Sequence, residues 1–431
     1  MVALSEVLSR HEGRPVLVGF SGGLDSSVLL HACAASPTLR ESGLRAIHVH
    51  HGLHRDADAW AAHCERSCNA LAIPLVVVRV SVEGDAGDGP EAAARHARHA
   101  AFNDALLEGE VLALAHHRDD QAETFLLRAL RASGPDGLAA MRSWRRFGRG
   151  WLWRPLLDLP RVQLLAYARE HDLRWIEDPG NVDTGFDRNF LRHRVMPLLR
   201  ERWPHVDAAF ARSAALSDQA VELLDAGDTP ALADARLDDP HALDATLLSR
   251  LPAARRARVL RRWIAELGLP PLPAEGIARI EHELLPAAAD RVAGFAWHGA
   301  LVRRWRDLLH ADWQRAPLPA DWTRPWDGRE PVRLPDGGLL ALEGAGHFDA
   351  TLLLGARQGG ERITLPGRAH SHALKHVLQE LGVPPWLRER LPLLSSPQGE
   401  LLAAGDVAYS AHFDAWLRAN DARLQWSCAQ D

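Results

Sequence analysis

Apolar positions along the first third of the chain fall into two alternating patterns. Short β-branched and aliphatic runs at Pro15–Phe20, Leu44–Val49, Leu75–Val80 and Val111–Ala115 predict strands. Between and after them, Ser26–Ala34, Asp58–Ala70, Glu91–Leu107 and Asp119–Arg131 carry helical spacing. Such alternation predicts an α/β fold with a doubly wound parallel sheet, whose ligands bind off the carboxyl ends of the strands. Val206–Glu283 is instead mainly amphipathic helix. A Trp/Pro-dense passage, residues 314–331, is the best linker candidate. The remainder mixes short strands with a helix near Ser371–Leu381, as in a small α+β domain.

Composition narrows the class. A chain of 431 residues, 47% hydrophobic and 25% charged, has room for two to three globular domains. No apolar run reaches the roughly 18 residues of a membrane span, and the N-terminal stretch lacks the pattern of a secretory signal. Four cysteines (Cys33, Cys64, Cys68 and Cys428) give no disulfide framework and suit a reducing cytoplasm. The net charge of −6 excludes a uniformly basic nucleic-acid binder but leaves room for local basic faces. Lys375 is the only lysine among the 50 basic residues, a skew that codon bias explains.

The first predicted strand ends abruptly in Ser21-Gly22-Gly23-Leu24-Asp25-Ser26. Two glycines let successive N–H groups turn toward one point, and the following helix adds the positive end of its dipole. Hydroxyls of Ser21 and Ser26 can donate to the same anion, so the loop suits a phosphate or pyrophosphate. A glycine turn with Asp25 and Ser26 as ordinary caps is the plainer alternative. The G-x-x-x-x-G-K-[ST] loop is excluded here, because the only lysine is at 375, and G-x-G-x-x-G is absent.

Two more strand ends carry chemistry. His48-Val49-His50-His51-Gly52-Leu53-His54 invites a metal reading, weakened by a background of 23 histidines. At the fourth strand end, His116-His117-Arg118-Asp119-Asp120-Gln121-Ala122-Glu123-Thr124 holds more acid than a helix start needs. Asp120 with Glu123 has the form of a capping box, and oxygen ligands beside a triphosphate suit Mg²⁺.

In this order and spacing the three motifs resemble those of the tRNA(Ile)-lysidine synthetase family, within the ATP pyrophosphatase superfamily. The similarity continues through Glu177-Asp178-Pro179-Gly180-Asn181 and Arg188-Asn189-Phe190-Leu191-Arg192. It resumes at R-x-G-G-E-R (357–362), Gly367-Arg368, Lys375 and the run 384–394. Departures are His50 and His54, where the family has asparagine and arginine, and Arg95-His96-Ala97-Arg98-His99, where it has R-x-x-R-Y.

The resemblance implies a catalytic domain over 1–208, a mainly helical tRNA-contacting domain over 209–318 and a tRNA-binding domain over 319–431. It implies an enzyme that uses ATP and Mg²⁺ to join free L-lysine to the wobble cytidine of an isoleucine tRNA with a CAU anticodon. ATP adenylates O2 of the base, and the lysine amine then displaces AMP at C2. Ser21, Gly22, Gly23, Leu24, Asp25 and Ser26 would hold ATP. Asp25 and Asp120 would hold Mg²⁺ or steer the ammonium, with His117 as proton acceptor or as scaffold. Arg188, Arg192, Arg194, Lys375 and Arg388 would contact tRNA, and Arg255, Arg256, Arg258, Arg261 and Arg262 form either a second basic face or a solvated one. A homodimer is compatible with all of this.

Four rivals remain. A tRNA thiolase would carry C-x-x-C, whereas the closest pair here is Cys64-x-x-x-Cys68. An amidotransferase-type synthetase would bring a glutaminase or an ammonia-supplying partner. An RNA-binding module with an inactive loop and a His-rich metal hydrolase belong to other classes. Release of AMP on adding tRNA and lysine separates all of them.

Overall fold

The computed structural model describes residues 7–8, 11–52, 54–81, 90–287 and 293–427, so Leu53 and Cys428 lie outside the described residues. The chain divides into two compact units, Met1–Gly227 and Asp228–Asp431.

In the first unit, β1 (Val16–Gly19) leads into α1 (Leu24–Ala34), then α2 (Pro37–Ser42) and β2 (Leu44–His50). Next come α3 (Ala57–Ala70), β3 (Leu75–Arg79), α4 (Pro90–Ala105), β4 (Val111–Ala113) and α5 (Arg118–Leu130). β5 (Trp144–Phe147), β6 (Gly150–Trp153) and α6 (Arg161–Glu170) follow. The sheet order is β3-β2-β1-β4-β6-β5, parallel throughout except for β5, which pairs antiparallel with β6 at the edge.

Continuous apolar runs in β1 and β4 follow from covering both sheet faces. Val16, Val18, Val111 and Ala113 point into one core with α1, while Leu17, Ile47, Leu112 and Leu152 pack on Phe102 of α4 and on Leu106 just beyond it. The β5–β6 hairpin was not anticipated. Its strands are four residues each and tryptophan-rich, joined across Gly148, which has a φ of +51°.

In the second unit, the segment expected to be mainly helical also holds a four-stranded antiparallel sheet. Its strands run in the order Ala242–Asp244, Leu308–Trp313, Ala300–Trp305, Ala293–Trp297. The helix Ala253–Glu266 buries Val259, Leu260, Trp263 and Ile264 in the same core as Val302 and Leu309. Farther on lie a five-stranded and a three-stranded antiparallel sheet. The linker candidate is partly core: Thr323–Trp326 pairs with Leu352–Gly355, and Trp326 is buried. The helix expected near Ser371–Leu381 spans Leu374–Glu380, and a later one spans Ala411–Ala419. Among the described residues, no helix is long and apolar enough to cross a membrane.

Candidate active site

Every group that the sequence analysis put at a strand end in the first unit lies on the carboxyl side of the sheet. Gly22 sits at φ +83°, in the left-handed region. A side chain there would press on Ile176 Cδ1 at 2.7 Å and Cys64 Sγ at 3.0 Å. Its carbonyl accepts from Ile176 N at 2.9 Å, which ties the loop to a neighbouring segment. Gly23 is the N-cap of α1 and supplies no side-chain cap, so the dipole end of the helix stays open to an anion. Ser21 Oγ and Ser26 Oγ lie 3.0 Å apart beside it. Leu24 is buried in the core beneath the loop.

His117, 2% exposed, stands at the centre of an acidic cluster. Its Nε2 lies 3.6 Å from Asp25 Oδ2 and 3.4 Å from Asp120 Oδ2, and its Nδ1 lies 3.8 Å from Asp119 Oδ1. Burial alone would lower its pKa. The hydrogen bond to Asp25 and the charges of Asp120, Asp25 and Asp119 outweigh burial and raise it above 6.5. The capping box lies one turn earlier than Asp120 with Glu123: His117 is the N-cap, and its ring and Asp120 bond reciprocally to each other's backbone N–H. The short hydrogen-bonding ring of histidine serves here as serine or aspartate usually does.

Asp120 and Glu123 are committed elsewhere. Asp120 Oδ1 accepts from Arg188 at 2.8 Å and Arg192 at 3.0 Å, and Glu123, 1% exposed, accepts from the same two arginines. Burial would raise the Asp120 pKa, but His117, Arg188, His116 and Arg192 hold it at about 2. Arg188 and Arg192 therefore wall the site with occupied forks and do not form an open basic face. The π turn Leu191–Val195 follows the short helix Asp187–Phe190, and both arginines reach α5 from there. Asn189 donates to the carbonyls of Gly180 and Asp183, docking the two sequence motifs on each other.

Asp25 differs. Its Oδ1 is buried without a hydrogen-bond partner, with Arg161 Nε 3.7 Å away. An orphaned carboxylate oxygen beside an anion loop fits a hard cation or an ammonium group. Asp120 fits that role poorly, because both its oxygens are occupied. Among the described residues there is no group of three or more metal-ligating side chains. A magnesium ion held by one carboxylate and substrate phosphates needs none.

Four other histidines, His48, His50, His54 and His99, are held by neighbouring groups of the fold. His48 Nδ1 bonds the Phe20 carbonyl at 2.9 Å, and burial lowers its pKa. His50 bonds Asp58 and Arg79, His54 stacks on Trp60, and His99 packs edge-on against Phe147. The thiols of Cys33 and Cys64 are pushed up to about 12, and that of Cys68 to about 11, first by burial. Thiols so reluctant to ionise are unsuited to sulfur transfer.

Arg194 and Lys375 are exposed and make no ion pair among the described residues. Arg388 is half-buried, bonds the Val383 carbonyl and lies 5.6 Å over the Trp305 ring. In the middle segment, Arg255 and Arg258 reach Asp228, Arg256 reaches Glu281 and Arg262 reaches Glu266, so most of that cluster has carboxylate partners. Sequence reasoning missed Arg154, a buried arginine directly after β6. Its signal was a charge at a strand's carboxyl end, hidden because the strand itself was not recognised.

The open dipole of α1 beside a parallel strand, with carboxylates off the next one, defines an ATP-using enzyme of the PP-loop class. Residues 2–199 match the model of the PP-loop domain. Residues 243–310 match the TilS substrate binding domain, and 352–426 the TilS substrate C-terminal domain. The chain is 58% identical to the tRNA(Ile)-lysidine synthase of Xanthomonas axonopodis pv. citri, covering 97% of this chain and 95% of that one. It is 53% identical to the same enzyme of Xylella fastidiosa (96% and 95% covered) and 44% to that of Serratia proteamaculans (91% of each). The chain belongs to the tRNA(Ile)-lysidine synthase family.

Proposed function

We infer that the chain ligates free L-lysine to C2 of the wobble cytidine of an isoleucine tRNA with a CAU anticodon, using ATP and Mg²⁺. One observation carries the inference: the S-G-G-L-D-S loop sets its Asp25 against His117 in a chain of this family. In the first step, cytidine O2 attacks the α-phosphorus, the bond to the β-phosphate oxygen breaks, and pyrophosphate leaves. Backbone N–H groups at Gly22 and Gly23, the hydroxyls of Ser21 and Ser26 and the α1 dipole stabilise that departing charge. In the second step, the lysine Nε attacks C2, and AMP departs with O2.

The residues divide the work by what each has uncommitted. Asp25 offers Oδ1 to the cation that accompanies the phosphates or to the lysine ammonium. Asp120, ionised and pinned by two arginines, orients His117 and does not exchange protons at neutral pH. His117, whose Nδ1 accepts the Asp120 N–H, turns its Nε2–H toward Asp25 and Asp120 and holds them in place, which leaves Asp25 Oδ1 to take the proton that the attacking ammonium must lose. Magnesium, when bound, neutralises phosphate charge in the first step. Arg194, Lys375 and Arg388 contact tRNA, and the segments 209–318 and 319–431 carry most of its recognition.

The test supplies ATP, labelled lysine and transcripts of the isoleucine and methionine tRNAs that share CAU. Label in the isoleucine transcript alone, with stoichiometric AMP and pyrophosphate, is the expected result. Formation of ADP, or a product that gains sulfur or ammonia and not lysine, overturns it.

A further inference from the structure

Arg154 is a buried cation with no anion. It is 6% exposed and follows β6 directly, at the carboxyl edge where the substrates must meet. Its donors go to the Arg142 carbonyl at 2.7 Å and to His116 Nδ1 at 3.3 Å. Neither is a counter-ion. His116 stays neutral, pushed down to about 3 by burial against the pull of Asp120, with Arg154, Arg188 and Arg95 adding to the fall.

Among the described residues, two further guanidiniums, Arg128 half-buried and Arg145 exposed, also lack a carboxylate. Arg128 donates to the carbonyls of Gly137 and Ala140, and Arg145 to that of Arg146. Among the described residues none of the three meets a carboxylate. Other arginines of this unit do: Arg45 has Glu110, Arg200 has Asp207, and Arg188 and Arg192 share Asp120 and Glu123. Burial, then Arg145, Arg95 and Arg128, push Arg154 down to about 10, so these charges crowd one another. A buried charge is ordinarily paired or hydrogen-bonded to an opposite one. Clustered guanidiniums without carboxylates are the chemistry of a phosphate seat.

We propose that Arg154, supported by Arg128 and Arg145, seats a backbone phosphate of the RNA substrate next to the nucleotide that reacts. The proposal rests on the lysidine-forming reading above and adds a subsite to it. The phosphates of ATP already have the open N-terminus of α1, off β1. β4 stands between β1 and β6 in the sheet, which sets Arg154 two strand spacings away, roughly 10 Å. A base reaching Asp25 and His117 from the β6 side carries its own phosphodiester past Arg154. The guanidinium fork then gains, on binding, the anion it lacks in the free protein.

The experiment measures binding of the isoleucine tRNA transcript across a salt series for the parent, Arg154→Met and Arg154→Lys, with ATP affinity measured in parallel. Arg154→Met should bind tRNA at least tenfold more weakly and lower the slope of log K against log salt by about 0.7–1, with ATP affinity within twofold of the parent. Arg154→Lys should restore the slope but not the full affinity, because the fork is lost. An unchanged slope in Arg154→Met overturns the proposal. So does a loss of ATP affinity, which would assign the seat to a nucleotide phosphate. Equal loss of tRNA binding in both variants, with lowered melting temperatures, would make Arg154 a scaffold residue and also overturn it. Lysine incorporation by the parent is assayed alongside: its failure sinks the broader function, whereas the slope alone decides Arg154.

Discussion

Replacing Gly22 by alanine perturbs the loop at one atom. The residue sits at φ +83°, where an L side chain costs ~1–2 kcal/mol. The new methyl would lie 2.7 Å from Ile176 Cδ1 and 3.0 Å from Cys64 Sγ. The isoleucine methyl is a side-chain end and can rotate away. Cys64 is buried and held against His48 Nδ1 at 3.3 Å, so it yields less, and overpacking of this kind adds ~1 kcal/mol or more. Retreat of the backbone would break the bond from Ile176 N to the Gly22 carbonyl. A total of about 2–3 kcal/mol corresponds to a melting temperature lower by roughly 4–12 °C for a unit of this size. Gly23→Ala is the control. At φ −76°, with the nearest atoms to its methyl at 3.6 and 3.8 Å, it should cost no more than ~1 kcal/mol. Thermal melts followed by circular dichroism compare the two variants, and ATP titrations should show the larger loss for Gly22→Ala. Equal melting temperatures for the two would refute the reasoning, since it derives the difference from φ and contact alone.

Three further outcomes follow from the charge arrangement. Because the folded pKa of His117 is raised, its stabilisation is complete below 6.5 and is lost as pH rises through the folded value; His117→Gln should flatten that alkaline decline in melting temperature, and an unaltered profile counts against the cluster. Glu123→Gln leaves two guanidiniums facing one carboxylate; with the arginines 29% and 31% exposed, the loss is discounted to ~2 kcal/mol, a fall of roughly 4–8 °C in a thermal scan, and an unshifted melt contradicts it. Lys375→Ala should weaken tRNA binding and lower the salt slope by about one, with ATP binding intact; parental binding at low and moderate salt alike would reduce the lone lysine to an accident of codon usage.

Where local pattern carries the information, the sequence was sufficient. The apolar runs of β1, β2, β3 and β4 and the glycine loop were legible because period and turn chemistry are local properties. The β5–β6 hairpin was not, since each strand is only four residues long and arginines interrupt β5. In the middle segment, His298 and Gly299 take positive φ in a tight hairpin turn between Trp297 and Ala300, a two-residue signal with a non-standard first member. The partners of Arg188 and Arg192 lie 65 to 72 positions away, so no periodicity reveals that their forks are occupied. The N-cap moved to His117 because residue type alone favours aspartate over histidine there.

That occupancy changes what the arginines contribute to the chemistry. Arg188 and Arg192 fix Asp120 and Glu123, Asp120 fixes His117, and His117 stands against Asp25. Each link is an ion pair or hydrogen bond made before any substrate arrives, so little reorganisation is left for the moment of reaction. The oxygen without a hydrogen bond in this chain of contacts is Asp25 Oδ1, which has Arg161 Nε 3.7 Å away. Under the proposed function, grip on the RNA is left to groups whose charge is not already spent within the site. Arg194 and Lys375 on the surface and Arg154 at the end of β6 meet that condition, and Arg188 and Arg192 do not.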